Sequence, residues 1–79
     1  MNPHLLDLSG LKCPMPALRT RKALRRLMPG HEIEVTCTDP LAVIDVPNVV
    51  REAGDELLET IQRDASLVFR IRKAEQVQS

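Results

Sequence analysis

The stretch HLLDLSGLKCPMPALRTRKALRRLMPG, residues 4–30, decides the fold class, because its hydrophobic period changes partway along. Residues 4–8 read as a short apolar strand with Leu6 and Leu8 on one side, and Ser9-Gly10 ends it. Beyond Pro14 the period lengthens to about 100° per residue. Ala17, Thr20, Ala23, Leu24, Leu27 and Met28 then share one arc, and Arg19, Arg21, Lys22, Arg25 and Arg26 share the opposite one. Leu18 alone breaks the pattern. The spacing predicts an amphipathic helix with a basic back. Cys13 is expected at its N-cap and Pro14 at the first helical position, where a missing N–H costs nothing. Pro29-Gly30 is the expected stop.

Downstream, EIEVTCT (32–38) alternates, with Ile33, Val35 and Cys37 on one side and Glu34 and Thr36 on the other, as in a half-buried strand. DPLAVIDVPNVVREAG (39–54) reads as a loop and a second helix, with Asp45 as N-cap, Pro47 in the first turn and Gly54 beyond the end. ELLETIQR and LVFRIRK are two more strands, joined by Asp64-Ala65-Ser66, a short polar link that suits a hairpin. Leu67, Phe69 and Ile71 oppose Val68, Arg70 and Arg72, so one sheet face is buried and the other wet.

The order is therefore β-α-β-α-β-β, and two helices can cover only one face of a four-stranded sheet in so short a chain. The expected fold class is α+β, a two-layer α/β sandwich. The first two strands should be parallel, with a right-handed crossover, and the closing hairpin makes the sheet mixed. Seventy-nine residues allow one domain, and a chain of this size buries only about 60% of its unfolded surface. Residues 1–73 are read as that domain and 74–79, AEQVQS, as a flexible tail.

Charge is segregated although the net charge is zero. Lys12 and the five basic residues between Arg19 and Arg26 form a block free of acids. Between Glu32 and Glu59 eight acids stand against one base, Arg51. One part of the surface should be positive. Phe69 is the only aromatic of the Phe, Tyr and Trp class, which argues against a protein that stacks nucleic-acid bases. The start, MNPHLLDLSG, has neither a basic n-region nor a long apolar run, so a signal peptide or membrane helix is not expected. A cytoplasmic, reducing location follows, with Cys13 and Cys37 as free thiols.

The two cysteines differ in setting. Cys37 shares the inward face with Ile33 and Val35 and reads as an inert core residue. Cys13 stands at a strand-to-helix junction between Lys12 and Pro14, where a helix N-terminus favours thiolate, with Lys12 and Arg19 as further positive charges. Pro14 and Pro16 stiffen the platform and delete two N–H donors that a phosphate would need. There is no Cys-x-x-Cys, since Pro16 stands where a resolving thiol would be, so single-thiol chemistry remains. His4 and His31 have no local spacing to Cys13. A zinc site would need Cys13, Cys37, His4 and His31 without recognisable pairing, and no metal or cofactor is expected.

LDLSGLKCPMP (6–16), the Pro-Gly at 29–30, DPLAVIDVP (39–47) and Gly54 together resemble the TusA/SirA-like small sulfur carrier proteins, whose hallmark is Cys-Pro-x-Pro at the start of the first helix. The likeness runs from Leu5 to about Lys73 and includes the Asp-x5-Asp-x-Pro pattern, with Val46 where isoleucine is common. It implies that Cys13 accepts sulfane sulfur as a persulfide from a cysteine desulfurase or rhodanese-like donor, with Pro14 and Pro16 shaping the site. A downstream sulfur-acceptor protein then takes the sulfur for tRNA thiolation, molybdenum cofactor assembly or sulfur oxidation. Lys12, Arg19, Arg21, Lys22 and Arg25 would form the docking surface for acidic partners or tRNA-bearing complexes. Asp39, otherwise a turn residue, and Asp45, otherwise a helix cap, would aid partner recognition. The residues leave open whether such a sulfurtransferase-type carrier is an enzyme or a cosubstrate of enzymes. Two other readings stand beside it: a regulatory or RNA-binding module working through the basic helix, and a redox-sensing thiol.

Overall fold

Residues 4–74 are described in a computed structural model. Their elements are β1 (His4–Leu8), α1 (Met15–Arg26), β2 (Glu32–Cys37), α2 (Ala42–Ala53), β3 (Glu56–Arg63) and β4 (Ser66–Arg72). The four strands form one mixed sheet in the order β1-β2-β4-β3. β1 and β2 run parallel, with Leu6 opposite Val35 and Leu8 opposite Cys37. β4 is antiparallel to both neighbours and sets Phe69 between Val35 and Thr60. This is the expected two-layer α+β fold.

Alternation along each strand supplies the core. Ile33, Val35, Cys37, Leu67, Phe69 and Ile71 point to the helix layer and are buried, together with Leu24 of α1 and Val46, Val49 and Val50 of α2. On the open face Arg70 gathers Glu32 at 2.9 Å, Glu59 at 3.1 Å and Glu34 at 4.0 Å, which disperses part of the acid block. Asp64, at φ 25°, takes the turn of the closing hairpin, a conformation that aspartate tolerates better than most residues. Gly54, at φ 77°, ends α2 in the left-handed cap expected of it. Among the described residues no helix is long and apolar enough to cross a membrane.

Helix boundaries differ from the sequence reading. Pro14, not Cys13, is the N-cap of α1, with Pro16 in the first turn, so Cys13 lies one residue outside the helix. α2 begins at Ala42 with Leu41 as N-cap. Asp45 is thus a first-turn residue rather than the cap, and Pro47 lies inside the helix. Asp39 explains the early start: its backbone carbonyl accepts the Ala42 N–H at 3.0 Å and its Oδ1 accepts the Leu41 N–H at 3.1 Å. Met28 is 63% exposed rather than on the buried arc, because the chain turns extended at Leu27 and helical spacing no longer applies. Of the expected tail, Ala74 donates its N–H to Asp55 Oδ1, and the remainder lies outside the described residues.

Thr20 is the one polar residue within the α1 face of the core. It is fully buried, and its Oγ1 has no hydrogen-bond partner among the described residues. An unmet buried hydroxyl costs about 1–3 kcal/mol. Thr20→Val should therefore raise unfolding free energy by about 1 kcal/mol, seen as a higher urea midpoint at unchanged slope.

Candidate functional site

Because β1 and β2 are parallel neighbours, the loops that leave their C-terminal ends lie side by side. Gly10, at φ 85°, turns the first loop in a conformation most other residues resist. Its N–H donates to Thr38 Oγ1 in the second loop at 2.8 Å. Three residues on, the Cys13 N–H donates to Asp39 Oδ2 at 2.6 Å. Since the other Asp39 oxygen takes the Leu41 N–H, one carboxylate holds the backbone on both sides of the junction. The backbone of Cys13 is therefore positioned by Asp39, 26 places away in sequence.

The Cys13 side chain is exposed, and its Sγ–H donates to Asp45 Oδ2 at 3.0 Å. The hydrogen bond to Asp45, partial desolvation and the negative charges of Asp45 and Asp39 raise its pKa above the ordinary thiol value. This reverses the expectation of an acidified thiol. A helix N-terminus at the surface is worth about 0.3–1 kcal/mol to an anion. Two carboxylates hydrogen-bonded to the residue, Asp45 at the sulfur and Asp39 at the N–H, oppose it. Asp45→Asn removes the main cause, so the thiol should deprotonate at lower pH. Its alkylation by iodoacetamide should run severalfold faster at neutral pH, with the whole pH profile displaced downward. An unchanged profile would remove Asp45 from this role.

Cys37 is fully buried, with its thiol pushed up to about 11, mainly by burial. Cys13 is thus the exposed thiol of the pair. The histidines stack on each other with ring centroids 5.9 Å apart, at the end of β1 away from Cys13, so Asp45 is the titratable group hydrogen-bonded to the thiol. Pro14 is exposed and Pro16 is buried, so the second proline anchors the first turn to the core.

The five basic residues of α1 are all exposed on one broad arc of the helix, whose two borders meet different neighbours. Lys12 is exposed beside Cys13. Arg21 pairs with Glu52 of α2 at 2.8 Å and, with Arg25, borders a hollow on the α2 side. Arg19, Lys22 and Arg26 line a groove on the other flank, beside β1. Sequence reasoning passed over Thr38, and also Leu18, Leu41 and Ile44, which are 49%, 52% and 59% exposed on or next to the first turns of the two helices that carry the site. Leu18 stood out as a misfit in the helical pattern. Thr38 left no such signal, because its partner is a backbone N–H brought near only by folding.

Residues 4–73 match the family model described as Sulfurtransferase TusA. The chain belongs to the TusA sulfurtransferase family. It is 38% identical over 69 residues to the sulfur carrier protein TusA of Allochromatium vinosum, covering 87% of this chain and 91% of that one. It is 35% identical over 69 residues to the sulfur carrier protein TusA of Pseudomonas aeruginosa, with 87% of each chain covered. Among solved structures, a SirA-like protein from Desulfitobacterium hafniense superposes with a TM-score of 0.78 at 23% identity, over 90% of this chain and 97% of that one. That likeness shows a shared fold.

Proposed function

We propose that this sulfur carrier holds its cargo as a persulfide on Cys13. The observation that supports this is a single exposed thiol whose backbone is fixed by Asp39 and whose hydrogen rests on Asp45, while the second cysteine is sealed in the core. In loading, Cys13 sulfur attacks the outer sulfur of a donor cysteine persulfide. The donor S–S bond breaks as the Cys13 S–S bond forms, and the donor leaves as thiolate. The Cys13 proton passes to Asp45, 3.0 Å away, or to the departing thiolate. Unloading repeats the exchange, with an acceptor thiolate taking the outer sulfur and Cys13 leaving. No external oxidant or reductant is needed, because the sulfane sulfur keeps its oxidation level. A nearby second thiol would discharge the persulfide early, which suits a carrier with none.

The donor in this reading is a cysteine desulfurase or rhodanese-like protein, and the recipient is a sulfur-acceptor protein. Both would meet Cys13 over Lys12, Leu18, Leu41 and Ile44, with Arg21 and Arg25 toward the α2 side. A reducing compartment, the cytoplasm, keeps the free thiol available.

Incubation with cysteine and a desulfurase, followed by intact mass measurement, tests the reading. The expected result is the gain of one sulfur atom, reversed by dithiothreitol and located in the peptide that holds Cys13. No gain from several unrelated persulfide donors would overturn it. A stable sulfenic acid at Cys13 under oxidant, without any sulfur uptake, would favour redox sensing instead.

A further inference from the structure

The two edges of the sheet are guarded unequally. β3 carries an irregular register between Leu57 and Glu59 together with Glu56, Glu59 and Arg63, features that discourage another strand from pairing. β1 is regular from His4 to Leu8 and has no lysine, proline or bulge; its one charge is Asp7, already bonded to Ser9. β1 pairs with β2 on one side, and among the described residues nothing pairs with its outer edge. Leu5, its second residue, is 78% exposed.

Along that edge runs an open groove of about 660 Å³ between β1 and α1. Its floor includes Leu6 and Leu27, and its rim is His4, Arg19, Lys22 and Arg26. No acid lines it. Among the described residues, Arg19, Lys22 and Arg26 have no ion-pair partner, in contrast to Arg21 and Arg70. Three uncompensated cations over an apolar floor, beside an unguarded strand, form a composite surface.

We propose that this groove receives an acidic, extended segment of a partner protein, which pairs with β1 as a fifth strand. Backbone pairing supplies affinity and alternate side chains supply specificity. In such a strand, residues on the helix side would be acidic and meet Arg19, Lys22 and Arg26. Their neighbours on the open side would be apolar and cover Leu5 as cross-strand partners. Nucleic acid fits the site less well, since the groove has no Phe, Tyr or Trp on which a base could stack. A second copy of the chain is disfavoured because edge-to-edge pairing would set cations against cations.

The probe is the capped peptide Glu-Val-Glu-Val-Glu-Val-Glu, titrated into the full chain without any sulfur donor. The readout is therefore separate from persulfide chemistry at Cys13. Binding should weaken with salt, and amide exchange should slow at the β1 positions that point away from β2. Lys22→Glu combined with Arg26→Glu should weaken binding at least tenfold, whereas Arg63→Glu, on β3 at the opposite edge of the sheet, should keep it. A peptide N-methylated at alternate residues should fail to bind, and this arm needs no protein variant to fold. Equal binding by the N-methylated peptide, unchanged exchange in β1, or indifference to the double substitution would overturn the proposal. So would tighter binding of a single-stranded RNA of equal charge, or dimerisation through β1 in the absence of peptide.

Discussion

Cys13→Ser is expected to fold like the parent and to take up no sulfur from any persulfide donor, a complete loss read by intact mass. Serine keeps the size and the hydrogen bond toward Asp45, and the Cys13 N–H bond to Asp39 involves backbone only. The thermal midpoint should therefore move little while loading vanishes. Cys37 cannot substitute. Its sulfur is fully buried in β2, and with its thiol pushed up to about 11 it is almost entirely protonated at neutral pH. Cys37→Ser should accordingly load normally wherever it folds, although a hydroxyl in that apolar setting costs stability. Sulfur uptake that survives in Cys13→Ser and disappears in Cys37→Ser would refute the proposed site.

Phe69→Ala should cost the most stability of any single change, about 3–5 kcal/mol. Phe69 is fully buried in β4, paired with Val35 on one side and Thr60 on the other, beneath the helix layer. It is the largest of the fully buried side chains, so its removal leaves a cavity that short neighbouring valines cannot close. A domain typically holds about 5–15 kcal/mol in all, and for one of this size the loss takes a large share. Urea unfolding should show a much lower midpoint with a similar slope, and Phe69→Leu should lose much less. A Phe69→Ala midpoint close to the parent's would mean that the core collapses around the gap and that the layers are held chiefly elsewhere.

Most of the fold was legible because it rests on local period. Residues 32–38 and 67–73 alternate, residues 17–27 repeat at helical spacing, and Gly10, Gly30 and Gly54 all sit at positive φ at element ends. The element order and the two-layer arrangement follow from these patterns and from chain length. The exposed character of Cys13 was legible too, since no apolar face includes it, as was the burial of Cys37.

Helix starts and electrostatics were not legible, for one shared reason. A residue's intrinsic preference marks Asp45 as a cap and Cys13 as a thiol at a positive helix end, but each outcome is set by partners from elsewhere in the chain. Asp39 begins α2 early, and by taking the Cys13 N–H it draws the first loop against the second. Asp45, moved into the first turn, then meets the sulfur 32 residues away and raises its pKa. The basic arc of α1 likewise acquires its neighbours only on folding: Arg21 meets Glu52 of α2, while Lys22 lines the groove beside β1. Sequence by itself determined which elements form, which of the two free thiols is exposed and which family the chain resembles. Tertiary structure alone decided what that thiol faces and where the positive charge collects, because Coulomb and hydrogen-bond energies depend on distances through space that only the parallel pairing of β1 and β2 brings within reach.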